Sequence, residues 1–130
     1  MALALWWGGL TFYALVVVPI GTDLFGSIEQ GFITQQVTNW LNAIGLGALT
    51  LLLWNLIVTR SRLLAVTWFA MALSLGALSL LHLRLDALLG GDVEAPSIDV
   101  DFYDIHRVYL LVTATQWLAQ ALHLAGLAAR

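Results

Sequence analysis

The sequence predicts an all-α, four-helix transmembrane bundle that runs up-down-up-down with both termini on the cytoplasmic side. Composition is the first observation behind this: of 130 residues, 61% are hydrophobic and 10% charged, with a mean hydropathy of +0.90. A soluble domain carries about a quarter charged residues, so hydrocarbon is the solvent that fits. Charge placement is the second, because residues 1–22, 30–59, 63–83 and 108–129 contain no charge at all. Each run matches the about 20 apolar residues that a helix needs to cross a bilayer core. The third is the asymmetry of the charges between the two ends of those runs.

The first span is predicted at 2–20. It lacks the positive start of a secretory signal, which makes it an uncleaved helix, and Pro19 and Gly21 mark its end. An outer loop at 21–36, "GTDLFGSIEQGFITQQ", is rich in Gly and polar groups. Its Phe25, Ile28 and Phe32 suit an interfacial re-entry. The second span follows at 37–58, then the tight turn "TRSR", then the third span at 63–83. A second outer loop at 86–103, "DALLGGDVEAPSIDVDFY", is acidic and leads to the last span at 108–127. The whole chain reads as one integral membrane domain.

With four spans, the "TRSR" turn and both termini share one side, which holds Arg60, Arg62 and Arg130 and no acid. The opposite side holds all eight acids together with Arg84 and Arg107. The positive-inside rule then predicts a multi-pass protein of a bacterial-type inner (plasma) membrane, its acidic loops outside. Trp6, Trp7, Trp54 and Trp68 fall near the inner interface and Trp40 near the outer one, as an aromatic belt requires.

Several function classes are excluded. With no Cys, the chain has no disulfides, thiolate metal sites or thiol redox chemistry. A net charge of −3 without a basic patch argues against nucleic acid. No phosphate-cradling Gly motif is present. Ser27 has no base beside it, and no span carries two carboxylates at helical spacing. The prediction is therefore a non-enzyme.

The last span poses the chemical question. His106, Tyr109, Thr113, Gln116, Gln120 and His123 fall within an arc of roughly 100° at 100° per residue, opposite Leu111, Leu118 and Leu122. Such a column must face protein or water, since polar groups facing hydrocarbon cost several kcal/mol. Gln35, Asn39 and Asn42 form a matching half-column on the second span, and Thr67, Ser74, Ser79 and His82 lie on the third. One reading is helix-to-helix hydrogen bonding. The other is a polar track for a proton, ion or small ligand. At the outer ends, His82 and Asp86 are spaced i, i+4, and Asp104 and Arg107 i, i+3. Here three readings stand: ion pairs joining Arg84 and Arg107 to Asp86, Asp101 or Asp104; a metal or haem held by His82 and His106; or a gate for a solute or proton.

The opening "WWGGLTFYALVVVP", through Trp6 or Trp7, Gly8, Gly9, Phe12 and Pro19, resembles that of small bacterial four-helix membrane proteins, the copper-resistance-D-like and related uncharacterised families. Phe102, His106 and Arg107 are similar to the His-bearing final helix of such proteins. The resemblance implies a four-helix bundle linked to copper or haem; the chain departs from it in having two Met and no Met- or His-rich loop. Two functions follow as expectations. One is an accessory or assembly subunit whose polar seam binds partner helices, as a homo-oligomer or within a larger membrane complex. The other is a haem-binding, metal-binding or translocating protein with an outer site of His82, His106, Asp86, Asp104, Arg84 and Arg107.

Overall fold

The computed structural model describes residues 1–89 and 100–129, and their side chains except those of 27–29, 88–89 and 100–103. The described residues form four helices and no strand: α1 (Ala2–Phe25), α2 (Ser27–Thr59), α3 (Arg62–Leu89) and α4 (Val100–Ala128). Three of them, over Ala2–Phe25, Gln30–Thr59 and Arg62–Ala87, are long and apolar enough to cross a membrane. At 29 residues, α4 has the length as well, but its polar column makes it less apolar than the others.

Contrary to expectation, α1 does not end at Pro19 and Gly21. It comprises an α segment (Ala2–Phe12), a π-helical stretch (Tyr13–Val17) and a second α segment (Val18–Phe25). Proline lacks a backbone donor and crowds the carbonyl four residues earlier. The wider π turn just before Pro19 takes up that mismatch, so the rod continues. The break comes at Gly26, whose φ of 89° and ψ of 167° suit only glycine. The predicted loop at 21–36 is therefore corrected to one residue, Gly26, between two helix ends. Helix α2 has 33 residues, hence a length of about 50 Å, and overshoots a hydrocarbon core of about 30 Å. Helices α3 and α4 also run beyond the predicted spans, to Leu89 and from Val100; residues 90–99 of the acidic loop lie outside the described residues.

At the "TRSR" turn, Arg60 adopts the left-handed conformation (φ 49°, ψ 33°) and its N–H donates to the Leu56 carbonyl at 3.0 Å. Ser61 Oγ then accepts the Leu64 N–H at 3.5 Å, helping to start α3.

Contacts between helices run in opposed register. Climbing α1 through Trp6, Gly9 and Gly21, the neighbours on α2 descend through Gly45, Leu41 and Gln30. Trp68 Nε1 on α3 donates to the Leu49 carbonyl of α2 at 2.9 Å. Leu63 and Leu64 on α3 touch the Gly126 position of α4, and Thr67 meets His123 at 2.7 Å. Helix α1 reaches α4 through the Trp7 and Trp117 rings, 5.2 Å apart, and through Trp117 Nε1, which donates to Thr11 Oγ1 at 2.8 Å. One apolar core, built on Leu3, Trp6, Leu49, Leu52, Met71 and Leu75, fills the end where these elements meet.

The tryptophans differ in how far the bundle covers them. Trp40 and Trp54 are exposed, but Trp6 is 1% exposed, and Trp7 and Trp68 are half-buried. The cause is local: Gly45 leaves a hole into which the Trp6 indole sits, and the Trp68 indole finds a carbonyl lone pair on α2. Leu111, Leu118 and Leu122 are exposed, as the arc on α4 predicts.

Candidate functional site

Helices α3 and α4 enclose the polar column between them and their neighbours. Gln116, Gln120 and His123 are 2%, 0% and 1% exposed. Tyr109 and Thr113 are half-buried, while His106 at the outer end is exposed. On α3 the buried polar residues are Thr67, Ser74 and His82, about two turns apart, so they share a face. The Thr67–His123 contact sets the register, which brings Ser74 level with Gln116 and His82 level with Tyr109. From His123 to Tyr109 the seam covers about 21 Å at about 1.5 Å per residue. That is most of a core about 30 Å thick.

Some of these groups are spent locally. Thr67, Ser74 and Thr113 donate their hydroxyl hydrogens to the Leu63, Ala70 and Tyr109 carbonyls at 2.8–2.9 Å. Thr67 Oγ1 also meets His123 Nδ1 at 2.7 Å, a hydrogen bond whose donor is set by the imidazole tautomer. Others make no hydrogen bond within the protein, although His82 Nε2 lies 3.5 Å from Asp86 Oδ2. Buried and unpaired are Gln116 Oε1, both amide atoms of Gln120, His82 Nε2, Tyr13 Oη and Trp7 Nε1. Each such atom costs about 1–3 kcal/mol unless water or a ligand satisfies it.

The end of the seam nearest Asp86 draws on all four helices. His82 Nε2 is 3.5 Å from Asp86 Oδ2 on α3, with its hydrogen-bonding direction unused. Asp86 is near enough to Tyr109 of α4 to act on its phenol electrostatically. Thr38 of α2 lies beside both Tyr109 and Tyr13 of α1, and Thr34 beside Tyr13. No well-aligned bond satisfies Tyr13 Oη, however, and it stays buried and unpaired. Tyr13 is the first residue of the π-helical stretch, a local distortion of the kind that re-aims side chains at functional sites.

The half-column expected on the second span is corrected by this geometry. Asn39 is exposed, and Gln35 and Asn42 are half-buried. The inward face carries instead Gln30, Thr34 and Thr38, followed by Gly45, Ala48 and Leu52. That face was readable as the i, i+4, i+8 spacing of Gln30, Thr34 and Thr38 running into the apolar stripe below. Gln30 lies against Gly21, where a side chain would collide with its amide. Its Nε2 donates weakly to Thr34 Oγ1 at 3.5 Å.

The outer charges do not converge as one site. Arg84, Asp104 and Arg107 are exposed, and no arginine–carboxylate pair within 4.0 Å forms among the described residues; the Asp101 side chain lies outside them. Partial desolvation lowers the His106 pKa from its ordinary 6.5. His82 and His106 sit in unlike settings, one enclosed beside Asp86 and one exposed about a turn further out. Among the described residues no three His, Cys, Asp or Glu side chains gather closely enough to hold a metal ion.

No protein-family model, curated protein or solved structure matches the chain. The likeness of its first helix to the copper-resistance-D-like proteins thus rests on the quoted residues alone.

Proposed function

We propose that the chain is a small, non-enzymatic, multi-pass protein of a bacterial-type inner membrane whose four helices run up-down-up-down around a hydrated polar path. Both termini and the "TRSR" turn lie on the cytoplasmic side in this reading, with the acidic ends of α3 and α4 outside. Arg60, Arg62 and Arg130 on one side, against eight acids on the other, support that orientation. The path runs from His123 and Thr67, past Gln120 and Gln116, to Tyr109, Tyr13, His82 and Asp86. It serves passage of a small polar species across the bilayer.

One observation carries the reading: Gln120 is 0% exposed, and neither its amide oxygen nor its amide nitrogen has a partner. Helix-to-helix adhesion would be served by closed hydrogen bonds, and an unpaired amide at bilayer depth opposes it. A water file through the seam satisfies the same atoms. On α4 the amides of Gln116 and Gln120 and the His123 ring are buried and out of reach of a partner helix, and Asn39 of α2 is the seam amide left exposed.

The test is permeability of protein-containing liposomes to water, ions and protons, with Gln120→Leu as comparison. Leucine is close to glutamine in size and needs no partner, so the variant keeps its fold, checked by gel filtration and circular dichroism. Permeability above that of empty liposomes, lost in Gln120→Leu, supports the path. A folded protein that conducts none of these species ends it.

A further inference from the structure

We infer that the species carried is the proton, loaded from the outer side at the His82–Asp86 pair; this rests on the hydrated path just described. Two other classes of permeant need features that the seam lacks. A bare metal cation must exchange its water shell for several oxygen ligands. Along the seam α3 and α4 are unbroken helices, so their carbonyls are engaged in backbone bonding. The one carboxylate assigned to the seam is Asp86, at its mouth. A neutral solute needs room. An open cavity of about 340 Å³ lies away from the seam, between α1 and α2, and Gln30 is the single polar residue among Phe12, Val17, Ile20 and its other apolar walls.

What the seam offers is a series of groups that each give and take hydrogen bonds: phenol, imidazole, hydroxyl and amide. Single waters joined to them pass a proton by giving one up as they receive another. A proton arriving from outside is taken up between His82 Nε2 and Asp86 Oδ2, which already face each other at 3.5 Å. The groups turned toward the pair are Tyr109 on α4, with Thr38 on α2 and Tyr13 on α1 beyond it; Arg84 points outward. The proton leaves at the His123 end, and one positive charge crosses per event.

The experiment uses the full chain in phosphatidylethanolamine–phosphatidylglycerol liposomes. A potassium gradient with valinomycin sets the potential, an internal dye reads pH, a second dye reads Na⁺, and light scattering reads water. The expected result is potential-driven proton entry well above that of empty liposomes, reduced at least tenfold in Asp86→Asn and unchanged in Thr115→Val, a change on the exposed face of α4. Na⁺ or water flux without proton flux overturns the proton assignment and leaves the path standing. Proton flux equal in Asp86→Asn and the parent chain overturns the loading site. Absence of all three fluxes overturns the path itself.

Discussion

Gly45→Ala puts the packing scheme to a numerical test. A Cβ on Gly45 would stand 2.5 Å from Cε2 and Cζ2 of Trp6 and 2.9 Å from Nε1, where ordinary contacts are 3.4–4 Å. The helices must part by about 1 Å, or the indole must turn. Trp6 is a rigid bicycle with 1% exposure, so turning it disturbs the whole core around Leu3, Leu49 and Leu52. Overpacking of this kind costs about 1–3 kcal/mol. Alanine also gains about 1 kcal/mol over glycine in helix propensity. Gly47 separates these two terms. It lies two residues further along the same helix, and a Cβ there meets nothing within 4 Å. Gly47→Ala takes the propensity gain without the clash. The difference between the two variants cancels propensity and leaves the collision, about 1–3 kcal/mol. Unfolding in mixed micelles, followed by far-ultraviolet circular dichroism, measures both. Trp6→Phe in the Gly45→Ala background should recover part of the loss, because phenylalanine lacks the second ring. If the two alanine variants agree within about 0.5 kcal/mol, the resolution of such comparisons, the Trp6–Gly45 seat is wrong.

Two further outcomes follow from single contacts. Thr67→Val removes the hydrogen-bond partner of His123 Nδ1 at 2.7 Å and should cost about 0.6–2 kcal/mol by the same unfolding assay, whereas Thr115→Val, exposed and bonded only to its own helix, should cost less than half as much. His106 should titrate below 6.5 in the folded protein by NMR. With the folded pKa below the unfolded one, the unfolded chain binds more protons between the two values. Stability from this residue is therefore full above about 6.5 and falls as pH drops through the window, ending below the folded pKa; a folded midpoint above 6.5 reverses the sign and refutes the placement of His106.

The helical class was legible because uncharged runs and composition report the solvent directly. The inward burial of Gln116, Gln120 and His123 was legible for a related reason, as their shared arc on α4 leaves no other cheap place for amides. The helix ends were harder. Pro19 and Gly21 carry stop signals in water, but the π stretch at Tyr13–Val17 absorbs the proline, and nothing in "YALVV" announces a π turn. The inward face of α2 was misread because Asn39 and Asn42 are stronger polar signals than Thr34 and Thr38. Rotation of α2 is set by Gly45 against Trp6 and by Gln30 against Gly21. Those are contacts between distant residues, to which periodicity within one helix is blind.

Why a helix set among three apolar ones should carry so many polar groups in one column comes down to which of them are closed. Every serine and threonine hydroxyl on the inward faces of α3 and α4 that the hydrogen bonds describe is returned to its own backbone, a habit that lets such residues sit in apolar surroundings at little cost. Had the column consisted only of these, adhesion between helices would account for it. The amides and the phenol cannot be closed that way, because their polar ends reach past the backbone of their own helix. Leu or Met at positions 116 and 120 would fill the same volume with no unpaired atom, so packing alone gives no physical reason to have glutamine at both. The unpaired atoms fall at successive depths, Gln120, then Gln116, then Tyr13 and His82 at the level of Tyr109. A ligand held at one point would need a cluster at one depth. The proposed passage needs partners at each depth in turn, and this spread of side chains is what supports it.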